Sequence, residues 1–315
     1  MAFAAVFPGQ GSQSTGMLAQ LADSFSEVKH TFEQASDFLD RDLWQLTLTE
    51  DGSLNQTENT QPIMLTAGIA VWRVWQAQGG ALPIGMAGHS LGEYSALVAA
   101  GVLSFENALE LVATRANLMQ QAVPEGEGAM AAILGLKDEQ VIAVCKQVAE
   151  DGIAEAVNFN SPGQVVIAGD SRAIDRAIEQ LKIAGAKRAI KLAVSVPSHC
   201  SLMRDAAITL SEKLSDIPFS STNIPVLHNI NAQSFHHADE IKRALSEQLF
   251  KPVRWVDTIN ALKNDLGVDS IIEFGPGKIL FGLNRRIDRS LGNICIHDNA
   301  SLEKALELTS TSVGV

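Results

Sequence analysis

Short apolar runs and amphipathic stretches alternate along almost the whole chain. Residues 3–7 form a continuous apolar run cut off by Pro8, which predicts a fully buried strand. Residues 24–39 and 104–122 repeat their apolar positions at helical spacing. So do residues 61–78, where Trp72 and Trp75 fall on the core side and Gly79-Gly80 ends the helix. The polar stretch 49–60 reads as a loop. A second strand over 82–87 runs into Gly88-His89-Ser90-Leu91-Gly92, and residues 93–100 return to helix.

From 128 to 194 the pattern changes character. A strand at 129–134 and a helix at 137–150 precede two strands, 154–159 and 164–168. These are joined across Asn160-Ser161-Pro162-Gly163, a hairpin signal. A helix at 172–184 and a strand at 189–194 complete the order β-α-β-β-α-β, that of the ferredoxin-like motif. Past His199 the larger alternation resumes with helix 202–214, strand 225–229 and helices 239–250 and 256–266. Strand 270–274, helix 278–287 and strand 293–296 follow. The expected architecture is α/β: a large domain from 1–126 and 198–315, with a ferredoxin-like subdomain inserted at 127–197.

Composition narrows the partners. A chain of 315 residues, 46% hydrophobic, can bury a full core. Its net charge of −12 argues against nucleic acid or an anionic membrane surface as the main partner. Cys145, Cys200 and Cys295 are odd in number and widely spaced, so no disulfide framework is implied and a reducing, cytoplasmic setting is expected. Residues 1–8 lack a basic n-region, and no apolar run approaches the roughly 18 residues of a membrane span.

Strand, Gly88-His89-Ser90-Leu91-Gly92, helix is the context of a nucleophile elbow, in which a serine sits on a sharp turn with its hydroxyl exposed. The helix that follows aims its first free N–H groups, and the positive end of its dipole, at the same point. Gly9-Gln10-Gly11-Ser12-Gln13-Ser14 departs from a dinucleotide fingerprint, with Ser14 in the third glycine position. It still places a glycine loop where α/β proteins keep their sites. Ile279 follows Gly275-Pro276-Gly277-Lys278, so this is not a P-loop, and no HExxH or Cys/His cluster suggests a metal or cofactor.

A serine nucleophile needs a base. His30, His236 and His237 lie in solvated patterns, and His89 adjoins Ser90 but leaves the turn in another direction. His199 stands where the chain re-enters the large domain, a common place for a cleft. From the residues alone it is either a base or a capping or core histidine. Arg115 has Leu111, Val112, Leu118 and Met119 one helical turn away, so it points from the apolar face and needs an anionic partner. That partner is an internal carboxylate or a substrate carboxylate held by two parallel N–H bonds.

Four motifs stand in the order and spacing of the malonyl-CoA:acyl carrier protein transacylases of bacterial-type fatty acid synthesis. They are Phe7-Pro8-Gly9-Gln10-Gly11-Ser12-Gln13, Gly88-His89-Ser90-Leu91-Gly92-Glu93-Tyr94, Val196-Pro197-Ser198-His199 and Glu273-Phe274-Gly275-Pro276-Gly277. The chain resembles the stand-alone members of that family over essentially its whole length. The resemblance implies two-step transfer of malonyl from malonyl-CoA to acyl carrier protein, with no cofactor. It implies Ser90 as nucleophile, His199 as base, and the Gln10 and Leu91 N–H groups as oxyanion hole. Arg115 would hold the malonyl carboxylate, and the Gln248 backbone carbonyl would orient the histidine. Lys187, Arg188 and Lys191 form a candidate patch for an acidic carrier protein, or a plain solvated cluster.

An unperturbed histidine titrates near 6.5, so acylation is expected to fall as pH drops through that range. The alternative suggested by Gly-His-Ser-Leu-Gly alone is a serine thioesterase or esterase of α/β-hydrolase type. That fold expects the order serine, acid, late histidine and an HGGG-type loop upstream, neither of which this sequence offers.

Overall fold

The computed structural model describes residues 2–194 and 196–310. In chain order its strands are β1 (Phe3–Phe7), β2 (Gly85–Gly88), β3 (Gly128–Leu134), β4 (Ala154–Ser161), β5 (Gln164–Asp170), β6 (Arg188–Lys191), β7 (Val226–Leu227), β8 (Ser270–Phe274) and β9 (Gly292–Ile296). One sheet runs β7-β2-β1-β8-β9, parallel throughout. The second runs β4-β5-β3-β6 and is antiparallel.

The parallel sheet is covered on both faces, which is why β1 and β8 read as unbroken apolar runs and are buried at every position. On one face Phe274 meets Phe7, Trp72 and Trp75 at ring-centroid distances of 5.7, 5.2 and 5.6 Å. Such pairs add about 0.5–1.5 kcal/mol each beyond their burial. The other face packs Ala4, Val6 and Ile271 with Trp255, Ile259 and Leu262 of the helix Trp255–Asn264. The antiparallel sheet has its own core, in which Ile133, Val165 and Ile167 lie with Val141 and Ile174 of its two helices. Its opposite face turns Met130, Val157 and Val166 toward Cys200. Two cores thus leave a seam between them.

The helices differ from expectation where local pattern is weakest. The stretch 24–39 breaks at Phe25, giving Ala19–Ser24 and Ser26–Leu39. Leu43–Leu48 is a further short helix, capped by Asp42 Oδ1 on the Gln45 N–H at 2.8 Å. The helix expected from 61 begins at Thr57 and runs to Ala77, so Pro62 lies inside it. Pro62 has no N–H to offer the Glu58 carbonyl. Arg41 donates to that oxygen instead, at 3.3 Å, and the helix continues through the proline. Asn299–Ser310 is a last helix packed on β9.

The helix Gly92–Ala99 starts so close to the end of β1 that a Cβ on Gly92 would collide with the Phe7 carbonyl. Gly282, inside the helix Ile279–Ile287, has open space around it. Gly92→Ala is therefore expected to cost about 3 kcal/mol or more. Gly282→Ala should be neutral or stabilising by up to about 1 kcal/mol. Urea unfolding of the two variants checks the contrast.

Candidate active site

The loops that leave β1 and β2 open into a cleft of about 560 Å³ along that seam. Gln10, His89, Ser90 and His199 line one wall, and Met130, Asn158, Asn160 and Val166 of the antiparallel sheet line the other. Leu280 and Leu283 close a third side. Placing the cleft there needs no special loop, because parallel strands deliver their following turns to one edge of the sheet.

Ser90 follows β2 with φ at 52°, a left-handed conformation that costs a non-glycine residue about 1–2 kcal/mol. Hydrogen bonds on both sides hold it there. Its N–H donates to Asn229 Oδ1 at 2.6 Å, and Asn229 Nδ2 donates to the Gly88 carbonyl at 2.6 Å. The Ser90 carbonyl accepts from Gln248 Nε2 at 3.0 Å and from the Glu93 N–H at 3.1 Å. The turn therefore fixes the direction of the hydroxyl.

That hydroxyl meets His199, whose Nε2 is 2.7 Å from Ser90 Oγ. His199 is itself left-handed, with φ at 66°, and its N–H donates to the Leu249 carbonyl at 2.9 Å. Its Nδ1 lies 2.7 Å from the Gln248 carbonyl. A carbonyl only accepts, so Nδ1 carries the ring proton and Nε2 is left to accept the serine proton. Gln248 ends the helix Ala238–Gln248, where the last carbonyls have no helical donor. The negative end of that helix also favours a positive ring.

Arg115 is 1% exposed, yet among the described residues no carboxylate lies within ion-pair distance of it. Its guanidinium donates to Gln61 Oε1 at 2.6 Å, Gln248 Oε1 at 3.1 Å and Ser90 Oγ at 3.3 Å, and its Nε is without a partner. The internal carboxylate, one of the two partners the sequence left open, is thus missing from its first contacts, and neutral oxygens hold the charge in place.

Gly9 brings the β1 loop against the serine turn so closely that a Cβ there would collide with the His89 carbonyl. The backbone N–H groups of Gln10 and Leu91 have no acceptor among the described residues. The cleft that holds the Ser90 hydroxyl is thus lined by Gln10 from one of these loops, and Leu91 follows the serine on the other.

Comparison with known proteins places this geometry. Residues 5–282 match the acyl transferase domain family. The chain is 50% identical over 307 residues to the malonyl CoA-acyl carrier protein transacylase of Escherichia coli K12, covering 97% of this chain and 99% of that protein. It is 43% identical to the same-named protein of Bacillus subtilis, over 96% and 95% of the two chains. An acyl carrier protein S-malonyltransferase from Vibrio cholerae superposes with a TM-score of 0.93 at 50% identity, covering 96% of this chain and 99% of that one. The chain belongs to the malonyl CoA-acyl carrier protein transacylase family.

For this family member the sequence-derived residues converge: Ser90, His199, Arg115 and Gln248 form one connected cluster, which Gln248 joins through its side-chain amide as well as the expected carbonyl. His89 turns away, its Nε2 at 2.7 Å from Asn160 Oδ1 and its ring against Trp255. Cys200 is buried beside His199, and burial pushes its thiol up to about 12, which leaves it unreactive. Lys187, Arg188 and Lys191 are exposed, but Lys191 already pairs with Asp175 at 2.8 Å.

Sequence reasoning passed over Gln61, Glu93, Asn160 and Asn229. Glu93 alone carried a local signal, a carboxylate opening the otherwise apolar helical run after the serine turn.

Burial, and then the charge of Arg115, push His199 down to about 3. The ring is thus neutral, and able to accept a proton, throughout the range in which an ordinary histidine titrates. This moves the expected acid limb well below 6.5. In NMR titration of the ligand-free protein, the His199 ring should stay neutral from pH 8 to below pH 5. Arg115→Ala should raise its titration point, since the arginine charge opposes the imidazolium. A wild-type midpoint near 6.5 would contradict this electrostatic account.

Proposed function

We propose that the chain moves a malonyl group from malonyl-CoA to the pantetheine thiol of acyl carrier protein, through an ester on Ser90. The observation that carries the reading is Ser90 Oγ, 2.7 Å from a neutral imidazole nitrogen and 3.3 Å from a buried guanidinium. The first feature is a nucleophile with its base, and the second is a receptor for a substrate carboxylate beside it. A structure of high likeness, with a TM-score of 0.96 at 51% identity, is a malonyl-transacylase in complex with a type II polyketide acyl carrier protein.

In the first step His199 Nε2 takes the hydroxyl proton as Ser90 Oγ bonds to the thioester carbonyl carbon. The Gln10 and Leu91 N–H groups stabilise the oxyanion, roughly 3–4 kcal/mol for a good donor. The carbon–sulfur bond then breaks, and His199 returns its proton to the departing CoA sulfur. In the second step the carrier thiol gives its proton to His199 and its sulfur attacks the ester carbonyl; the carbon–oxygen bond then breaks as His199 returns that proton to Ser90 Oγ, and ping-pong kinetics result. The Gln248 carbonyl keeps Nδ1 protonated throughout and accepts the stronger bond when the ring is charged. Arg115 grips the malonyl carboxylate, and no cofactor enters either step.

We read the turn at Ser90 as a nucleophile elbow, and residues 127–197 as a ferredoxin-like subdomain inserted between 1–126 and 198–315. The reading is supported by the left-handed Ser90 and by the strand order β4-β5-β3-β6. No helix among the described residues is long and apolar enough to cross a membrane, which accords with a proposed cytoplasmic setting. Lys187 and Arg188 remain the proposed basic contacts for an acidic carrier.

Intact-protein mass measurement after mixing with malonyl-CoA should show a malonyl adduct that Ser90→Ala abolishes. Addition of carrier protein should then clear the adduct and yield malonyl carrier. Release of free malonate instead would favour a thioesterase.

Selectivity tests Arg115. Removing one partner of a desolvated charged pair costs about 2–5 kcal/mol, so Arg115→Ala should slow malonyl transfer by roughly 30-fold to a few thousand-fold. Acetyl-CoA has no carboxylate to lose, so the malonyl-over-acetyl preference should vanish or reverse. Arg115→Lys should recover only part, because an ammonium cannot make two parallel bonds. Preserved wild-type preference in kcat/KM for Arg115→Ala would make Arg115 a structural residue.

A further inference from the structure

We infer that Glu93 positions both halves of the Ser90–His199 pair and serves as the resident counter-charge of Arg115, with the Gln248 amide between the two charges. The inference rests on the acyl-transfer reading above and assigns a role to a residue that the reaction scheme leaves idle.

Glu93 is the second residue of the helix Gly92–Ala99 and is 0% exposed. A carboxylate buried so deeply is tolerated only when donors meet its oxygens. Oε1 lies 2.7 Å from His228 Nδ1, while Oε2 accepts from the Asn229 N–H at 3.0 Å and from Gln248 Nε2 at 2.8 Å. Two of these three donors are the residues that hold the reacting groups. Asn229 accepts the Ser90 N–H, and Gln248 gives its carbonyl to His199. A carboxylate serving stability alone needs donors, but it does not need these.

The charge argument is independent of the positioning one. Gln248 Oε1 accepts from Arg115 while its Nε2 donates to Glu93, so one amide lies head to tail between a buried cation and a buried anion. No other carboxylate among the described residues bonds to Gln248 or to either residue that Arg115 also contacts. Glu93 therefore balances Arg115 without occupying its donors, and the guanidinium stays available to a substrate. The same charge opposes an incoming carboxylate. Removing it should sharpen the preference for malonyl, where a purely structural lesion would depress both substrates alike.

Single-turnover acylation by malonyl-CoA and acetyl-CoA, followed by intact mass, separates these outcomes. Glu93→Gln keeps an oxygen for Asn229 and Gln248, and His228 can meet the new amide by changing tautomer. Its malonyl-over-acetyl ratio in kcat/KM should rise roughly 3- to 100-fold, the span of couplings within one network. Glu93→Ala removes the anchor as well and should slow both thioesters by roughly 100-fold, as misplacement of reacting groups does. An unchanged ratio in Glu93→Gln overturns the counter-charge. Near-normal acetyl acylation in a folded Glu93→Ala overturns the positioning role. If Glu93→Ala does not fold, the Glu93→Gln ratio still decides the counter-charge. A wild-type protein that forms no Ser90 ester would refute the acyl-transfer reading itself.

Discussion

Gln248 is where the polar groups of the cleft meet. Its backbone carbonyl accepts a hydrogen bond from the Nδ1–H of His199, and its side-chain amide touches Ser90, Glu93 and Arg115. A helix end makes this possible, because the carbonyls of Gln248 and Leu249 have no helical donor and both go to His199. A neutral acceptor in that position fixes the ring tautomer without bringing a second buried carboxylate to the base. The left-handed turns at Ser90 and His199 are the strain that this meeting point holds in place.

Burial decides the electrostatics of the rest. Taking His199 and Arg115 out of water penalises the charged form of each, and their mutual repulsion adds to that at the histidine. The imidazole yields by remaining neutral, while the guanidinium retains its proton and is held by neutral oxygens. A carboxylate entering the cleft meets a cation that is ordered but not neutralised by contact. The proposed specificity for an acid-bearing acyl group follows from that imbalance.

Much of the architecture was legible in the sequence. β1 and β8 were bounded to the residue, because a parallel strand buried on both faces needs an unbroken apolar run and Pro8 and Gly275 end theirs. The β-α-β-β-α-β order of residues 128–191 was equally plain, since each periodicity is interrupted by a recognisable turn. The helix Thr57–Ala77 starts earlier than its sequence suggests, because its first turn is polar and is followed directly by Gln61 and Pro62. Leu43–Leu48 was invisible, being too short to show a period. Among the site residues, Ser90 was marked by its glycines, and Arg115 by an apolar helix face that no solvated arginine would occupy.

The sequence by itself determined most of the strands and the longer helices, that a serine sits on a sharp turn, and that one arginine is buried. These follow from local periodicity and from glycine and proline, which act within a few residues. It could not reveal that Asn229 braces Ser90 from 139 residues away, or that Glu93 and Gln248 share a hydrogen bond across 155. Such pairings carry no local period, since each asparagine, glutamine or glutamate is equally at home in solvent. Only packing of the two sheets around one seam removes the water that would otherwise satisfy them. The same dehydration moves His199 far from its ordinary titration range, so its proton affinity belongs to the folded environment and not to the residue.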